Sequence, residues 1–204
     1  MRIGGFQRLT LVDYPGKVAA TVFTQGCNFR CGFCHNAALV LPEAFQVPIP
    51  EQEVLEFCRQ RRGQLQGIVI SGGEPTIQKG LVDFIASLKD MGYVVKLDTN
   101  GSHPEVVAAL IDQKLIDYIA MDVKTSLARY AEVVRCGCDI AKIQQSIDLI
   151  LKCGLPYQFR TTLVDSVCSI NDLLSIQDML HDSNNYVLQP FVPSSTMVDP
   201  LFQK

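Results

Sequence analysis

Cys27, Cys31 and Cys34 fall in one short stretch, TQGCNFRCGFCHN, with the spacing Cys-x-x-x-Cys-x-x-Cys. Thiolates are nucleophiles and metal ligands, and four uses compete for these three. Structural zinc wants a fourth ligand at tetrahedral geometry, yet His35 follows Cys34 directly and can hardly turn back to the same ion. A dithiol redox pair at Cys31-x-x-Cys34 leaves Cys27 without a purpose. Inert structural cysteines do not suit a loop that is polar, aromatic and glycine-containing. A [4Fe-4S] cluster held at three irons accounts for the count. Such clusters normally take four thiolates, and an unligated iron is an open coordination position of the kind catalytic metals keep. The missing ligand is then a substrate.

Other reactive side chains gather at comparable places. Short apolar runs rich in β-branched residues begin at Val18, Gly67, Tyr93, Asp117, Tyr157 and Tyr186. Followed to their C-terminal ends they lead to Cys27, then Gly72-Gly73-Glu74, then Asp98-Thr99-Asn100. Asp122 with Lys124, Arg160 with Thr161 and Thr162, and Gln189 come next. In parallel α/β folds that end of the strands is where ligands bind.

The elements that must position these groups follow from the pattern. Near-continuous apolar runs suit strands covered on both faces, as in a parallel sheet. Between them lie segments of helical period. Pro50 begins one, with Glu51 and Glu53 in its first turn. Gln78 to Met91 carries an apolar stripe. Ser102-His103-Pro104-Glu105 reads as a capping box. A stripe from Ile143 ends at Lys152 and Gly154, and Leu173, Ile176 and Leu180 mark a last helix. Six strands alternating with about five helices predict an α/β fold. A full eight-fold barrel takes ~250 residues, so the expectation is one domain over 1–204 built as an incomplete, open β/α barrel of about six parallel strands. An open doubly wound sheet is the alternative. Residues 1–17 read as a lead-in and 26–40 as the loop carrying the cysteines.

The totals exclude several classes. The chain has 204 residues and a formal net charge of -3, and its longest basic run is Arg59-Gln60-Arg61-Arg62. Nucleic acid and anionic membranes are not favoured partners. No apolar stretch approaches the ~20 residues of a membrane span, and the start is too polar for a secretory signal. The expected location is the cytoplasm, where eight cysteines point to metal or catalysis before disulfides.

The cysteine spacing, with Phe33 before the last thiol, resembles the signature of the radical S-adenosylmethionine (SAM) superfamily. The resemblance implies a [4Fe-4S] cluster on Cys27, Cys31 and Cys34 whose open iron is chelated by the amino and carboxylate groups of SAM. One electron then splits a carbon–sulfur bond, giving methionine and a 5'-deoxyadenosyl radical. SGGEP (Ser71 to Pro75) resembles the superfamily's Gly-Gly-Glu-Pro element, which implies that Gly72, Gly73, Glu74 and Pro75 meet the SAM amino group, the glycines permitting close backbone approach. LDTNG and MDVK look like pieces of the glycyl-radical-enzyme activating enzymes. There Asp98, Thr99 and Asp122 would help hold a monovalent cation beside the SAM carboxylate, and Lys124 would contact SAM. Two converging carboxylates do need a cation or a proton between them. Arg160 is expected to face SAM or the substrate backbone, and Phe33, Asn100 and Gln189 complete the expected cofactor contacts. The bland readings are a turn for Asp98, a solvated Lys124 and a surface ion pair for Arg160.

CHN after the cysteines, TLVDYPGKV, RTTLV and YVLQPF together resemble the compact activating proteins of anaerobic ribonucleoside-triphosphate reductase. That branch abstracts hydrogen from the Cα of one glycine in a large partner, with flavodoxin or ferredoxin as electron donor. Val192 stands where formate-lyase activases tend to carry His, which weakens transfer to that branch. Alternatives are an activase of another glycyl-radical enzyme, a small-molecule radical SAM enzyme similar to 7-carboxy-7-deazaguanine synthase, and a non-catalytic metal-binding module. Cys136, Cys138, Cys153 and Cys168 are too scattered to predict a second cluster, Cys58 lies on an apolar helix stripe, and His103 and His181 receive no role.

Overall fold

The computed structural model describes residues 1–203. Seven strands form a single sheet in the order β1 to β7: Ile3–Thr10, Ala19–Thr24, Gly67–Gly72, Val94–Thr99, Tyr118–Asp122, Tyr157–Leu163 and Tyr186–Pro190. β2 through β7 pair in parallel, while β1 runs antiparallel to β2. β1 and β7 do not pair, so the barrel is open. The six parallel strands are those read from the sequence; β1 lies within the stretch read as a lead-in and adds a seventh strand. Its residues, IGGFQRLT, include two glycines and expose Gln7, Arg8 and Leu9 in a row, so neither propensity nor alternation announces a strand.

Seven helices fill the connections: α1 Ala37–Val40, α2 Glu51–Gln60, α3 Leu81–Asp90, α4 Pro104–Asp112, α5 Tyr130–Val134, α6 Ile140–Lys152 and α7 Ile170–Met179. The five longer ones are those expected; α1 and α5 are single turns too short to show a period. Asp139 caps α6 through the Ala141 N–H, and Gly154 just beyond it takes a positive φ of 74°. The capping box expected at Ser102 does not form. His103 occupies the N-cap without a side-chain bond, because the Ser102 hydroxyl is drawn to the Asn100 Oδ1 instead. A true capping box starts α7, where Ser169 and Asp172 bond reciprocally.

The alternation of side chains along the strands divides the molecule into two apolar regions. Ile68, Ile70, Val95, Leu97, Ile119 and Phe159 point outward and are wholly buried in the main core with Phe84, Leu88, Leu110 and Ile147 of the helices. On the inner face Tyr14, Ala19 and Val69, with Val94 and Tyr118 against them, close the N-terminal end of the barrel. The opposite end of the inner face carries the polar side chains. Layering of this kind leaves one end of a barrel for ligands.

Candidate active site

A cavity of about 310 Å³ lies at the C-terminal ends of the strands. Cys27, Cys31 and Cys34 line it, with Phe29, Phe33 and Val40 beside them. Gly72, Gly73, Glu74, Asp98, Thr99, Asn100, Asp122, Lys124, Arg160 and Gln189 supply the rest of its lining, as do Ser71, His35, Asn36 and Thr162. Every expected site residue is therefore brought to one place except Pro75. That residue opens a short 3-10 turn, Pro75–Ile77, and is buried behind the wall.

The cysteine loop is held on four sides. Gly73 and Glu74 donate their N–H groups to the carbonyls of Thr24 and Gly26 at 2.9 and 2.8 Å. The glycines also serve the chain itself. A Cβ on Gly72 would lie 2.3 Å from the Thr24 nitrogen and one on Gly73 2.1 Å from the Gly26 oxygen. It is the chain entering the loop that comes so close, not only a ligand. On a second side Asn28 receives a bond from Asn100 and gives one to Ser102. On a third, Arg30 donates its N–H to the Val134 carbonyl at the end of α5, and the Cys136 thiol donates to the Asn28 carbonyl at 3.0 Å.

The fourth side was not legible in the sequence. A segment after β7 runs back over the loop: Val198 donates to the Cys34 carbonyl and Asp199 to that of Gly32, both at 3.0 Å. Thr196 donates from its hydroxyl to the His35 carbonyl, and His35 donates from Nε2 to the carbonyl of Val192 at 2.6 Å. Arg135 pairs with Asp199 and stacks over Phe202. Gly32 has no room for a side chain beneath Phe202 and Arg135.

Facing the thiols is a chain of alternating charges. Lys124 Nζ reaches Asp122 Oδ2 at 2.9 Å, Arg160 Nε reaches Asp122 Oδ1 at 2.8 Å, and Arg160 Nη1 reaches Asp98 Oδ2 at 3.5 Å. Lys96 completes the series by pairing with Asp98 Oδ1. Burial opposes the charge on Asp122, but Lys124 and Arg160 outweigh it and hold the carboxyl well below the usual range. Burial likewise pulls against Lys124 and Arg160, and their carboxylate neighbours raise both. Arg160 and Thr162 face the cavity while Thr161, one residue between, turns outward to bond the Val123 carbonyl.

Glu74 is 1% exposed and its Oε1 already accepts from the Thr76 N–H, the Thr76 hydroxyl and the Thr99 hydroxyl, while Oε2 accepts from the Asn100 N–H at 2.7 Å. Burial raises its pKa, and these donors counter the rise. The carboxylate ties the end of β3 to the end of β4, a duty the sequence did not disclose, and leaves only Oε2 with spare accepting capacity.

The donor set fits an iron–sulfur cluster anchored at three corners. Three thiols share the wall, and no fourth cysteine lines the cavity. Among the described residues no three His, Cys, Asp or Glu side chains are gathered tightly enough for a single ion, which the zinc reading requires. Burial pushes the Cys27 thiol up to about 12 and Cys31 up to about 11, against the pull of the Lys124 charge. Ligation must therefore displace protons from them. The Phe29 N–H points at the Cys27 sulfur at 3.3 Å, the kind of bond that tunes a cluster's potential. None of Cys136, Cys138, Cys153 and Cys168 reaches the cavity, and Cys58 is buried in the core, as read.

The sequence pattern of the Radical SAM superfamily matches residues 21–168, which include the three cysteines and the charged strand ends. The chain belongs to the radical SAM superfamily. It is 39% identical over 208 residues to a putative glycyl-radical enzyme activating enzyme of Methanocaldococcus jannaschii, covering 99% of this chain and 84% of that one. A pyruvate formate-lyase-activating enzyme of Clostridium pasteurianum is 26% identical, with 93% and 82% covered. The chain is thus a radical SAM enzyme of the glycyl-radical-enzyme activating family. Among solved structures it is similar to Streptococcus suis SuiB bound to S-adenosylmethionine, with a TM-score of 0.66, 15% identity and 88% of this chain covered. It is also similar to anSMEcpe with bound AdoMet, with a TM-score of 0.65, 16% identity and 89% covered. The chain spans 44% and 51% of the length of those two, and at such identities the likeness shows the fold. No helix among the described residues is long and apolar enough to cross a membrane.

Proposed function

We propose that this radical SAM enzyme generates a glycyl radical on a large partner protein, and that the partner is anaerobic ribonucleoside-triphosphate reductase. The observation that carries the reading is the cavity itself, with three thiols on one wall and the Lys124–Asp122–Arg160 ion chain on the other. Cys27, Cys31 and Cys34 would hold the [4Fe-4S] cluster, and Lys124 and Arg160 lie where a carboxylate of SAM would be paired. The cluster, when bound, would supply the single electron for reductive cleavage of SAM to methionine and a 5'-deoxyadenosyl radical. The chain's own task is to orient the cofactor and keep water from it. Phe29, Phe33 and Val40 make the wall near the thiols apolar, and the segment after β7 covers the loop from outside. Gln189, exposed on β7, stands at the cavity's edge where a glycine loop could approach.

The choice of reductase over formate lyase as partner rests on the resemblance of RTTLV and YVLQPF and on Val192 after Pro190-Phe191. Flavodoxin or ferredoxin would deliver the electron. In the test, the anaerobically reconstituted and reduced chain is mixed with SAM and the reductase. A glycyl doublet in the paramagnetic resonance spectrum, with 5'-deoxyadenosine in about equal amount, is expected. A doublet only with a lyase would transfer the partner. Consumption of a small molecule, with no protein radical on any partner, would refute the activase reading.

A further inference from the structure

Lys96 interrupts the apolar first part of β4, Val94 to Leu97, and points into the barrel. Lys96 and Asp98 are two positions apart on β4, so both face inward. The lysine is 3% exposed. Beneath it lies the apolar plug of Val69, Val94 and Tyr118, and its ammonium is 5.9 Å from the centroid of the Tyr118 ring. Its ionic partner is Asp98.

Both oxygens of Asp98 already accept donors. Oδ1 takes Lys96, and Oδ2 takes the Ser71 hydroxyl at 3.0 Å and Arg160 Nη1 at 3.5 Å. Asp122 is equally engaged, by Arg160 on one oxygen and Lys124 on the other. Thr99, the third ligand expected for a monovalent cation, donates its hydroxyl to Glu74 and accepts the Gly101 N–H. Asp98 and Asp122 thus already face three fixed cations, Lys96, Lys124 and Arg160. An alkali ion placed among them would meet these cations at close range and ligands that already hold donors, so the residues do not fit the expected cation.

We propose that the Lys96 ammonium stands where that ion would sit, so that the site carries its own covalently tethered cation and works without bound potassium or sodium. A buried ammonium is costly unless paired, and Asp98 supplies the pair. In return Asp98 is held in place, where it also meets Arg160 Nη1 and keeps that side chain toward Asp122 and the cavity. The arrangement also removes one variable from the site, since a tethered cation cannot exchange with the ions of the medium.

The test uses the full chain, with and without reconstituted cluster, so that its outcome does not depend on the proposed partner or on SAM. Potassium is replaced by choline at constant ionic strength, and thallium(I) serves as a direct probe of a potassium site by magnetic resonance. Wild-type Tm is expected to stay within about 1 °C, with no saturable thallium binding. Lys96→Met keeps most of the hydrocarbon stem and frees Asp98 Oδ1. Its Tm should rise by about 3–6 °C at about ten times the ion's Kd, and thallium should bind. Lys96→Arg, which keeps the charge, should remain indifferent to the ion. If Lys96→Met does not fold in choline, recovery of folding in potassium carries the same contrast; if it folds in neither, Lys96→Gln replaces it. Saturable ion binding by the wild type would overturn the proposal, and so would a neutral variant that folds yet ignores potassium.

Discussion

Arg160 on β6 donates from Nε to Asp122 at the end of β5 at 2.8 Å. The folded pKa of Asp122 lies below its unfolded value because of Lys124 and Arg160. Its stabilisation is therefore present above the unfolded pKa, near 3.9, and is lost as pH falls through the folded one. Arg160→Gln removes one of the two cations. The acid midpoint of unfolding, followed by circular dichroism, should move upward, and stability at neutral pH should fall by about 1–3 kcal/mol. An unchanged acid midpoint would show that Lys124 alone sets the carboxyl.

Among the described residues the Lys124 ammonium forms its hydrogen bond with Asp122. Lys124→Met should leave iron content near four per chain while weakening SAM binding about 10- to 100-fold, as expected for a lost charge-assisted bond. Alanine at any of Cys27, Cys31 or Cys34 should instead abolish SAM cleavage together with the brown chromophore. Iron and SAM lost together in Lys124→Met would give that lysine a structural duty.

Gly73 is where β3 presses on the entry to the cysteine loop. A methyl group there would meet the Gly26 carbonyl at 2.1 Å, and backbone can yield only by shifting the loop. Gly73→Ala should cost about 1–3 kcal/mol and lower iron retention after reconstitution, measured against Gly137→Ala, where nothing lies within 4 Å.

Asp199 holds the covering segment by accepting from the Leu201 N–H at 2.9 Å and pairing with Arg135. Asp199→Ala should loosen that cover and speed the bleaching of the cluster's visible absorbance in air. An unchanged bleaching rate would mean that oxygen enters by another route.

The parallel strands were legible because β-branched runs buried on both faces leave an unbroken apolar signal, and the site was legible because each run ends in a polar residue. What escaped did so for physical reasons. β1 is an edge strand weakened by Gly4 and Gly5. The segment from Phe191 to Gln203 has no period and bonds largely through backbone groups, which sequence does not display. Ser102 has the identity of a cap but serves Asn100, whereas the box that forms at Ser169 uses Asp172 in place of the usual Glu or Gln. Lys96 gives no sign of a role in its apolar run, and only the three-dimensional neighbours show that it meets Asp98. The same neighbours show that the carboxylates expected to hold a monovalent cation already accept side-chain donors.

The bonds from Val198 and Asp199 to the cysteine loop have a consequence for how the holoenzyme is made. Thr196 and His35 are 161 positions apart, so on a ribosome the loop emerges long before the segment that shuts it. During that interval the loop lacks the bonds that later hold it from that side. Once the late segment docks, the thiols are reached through the cavity they line, so cluster assembly on the finished chain has a single face to work from.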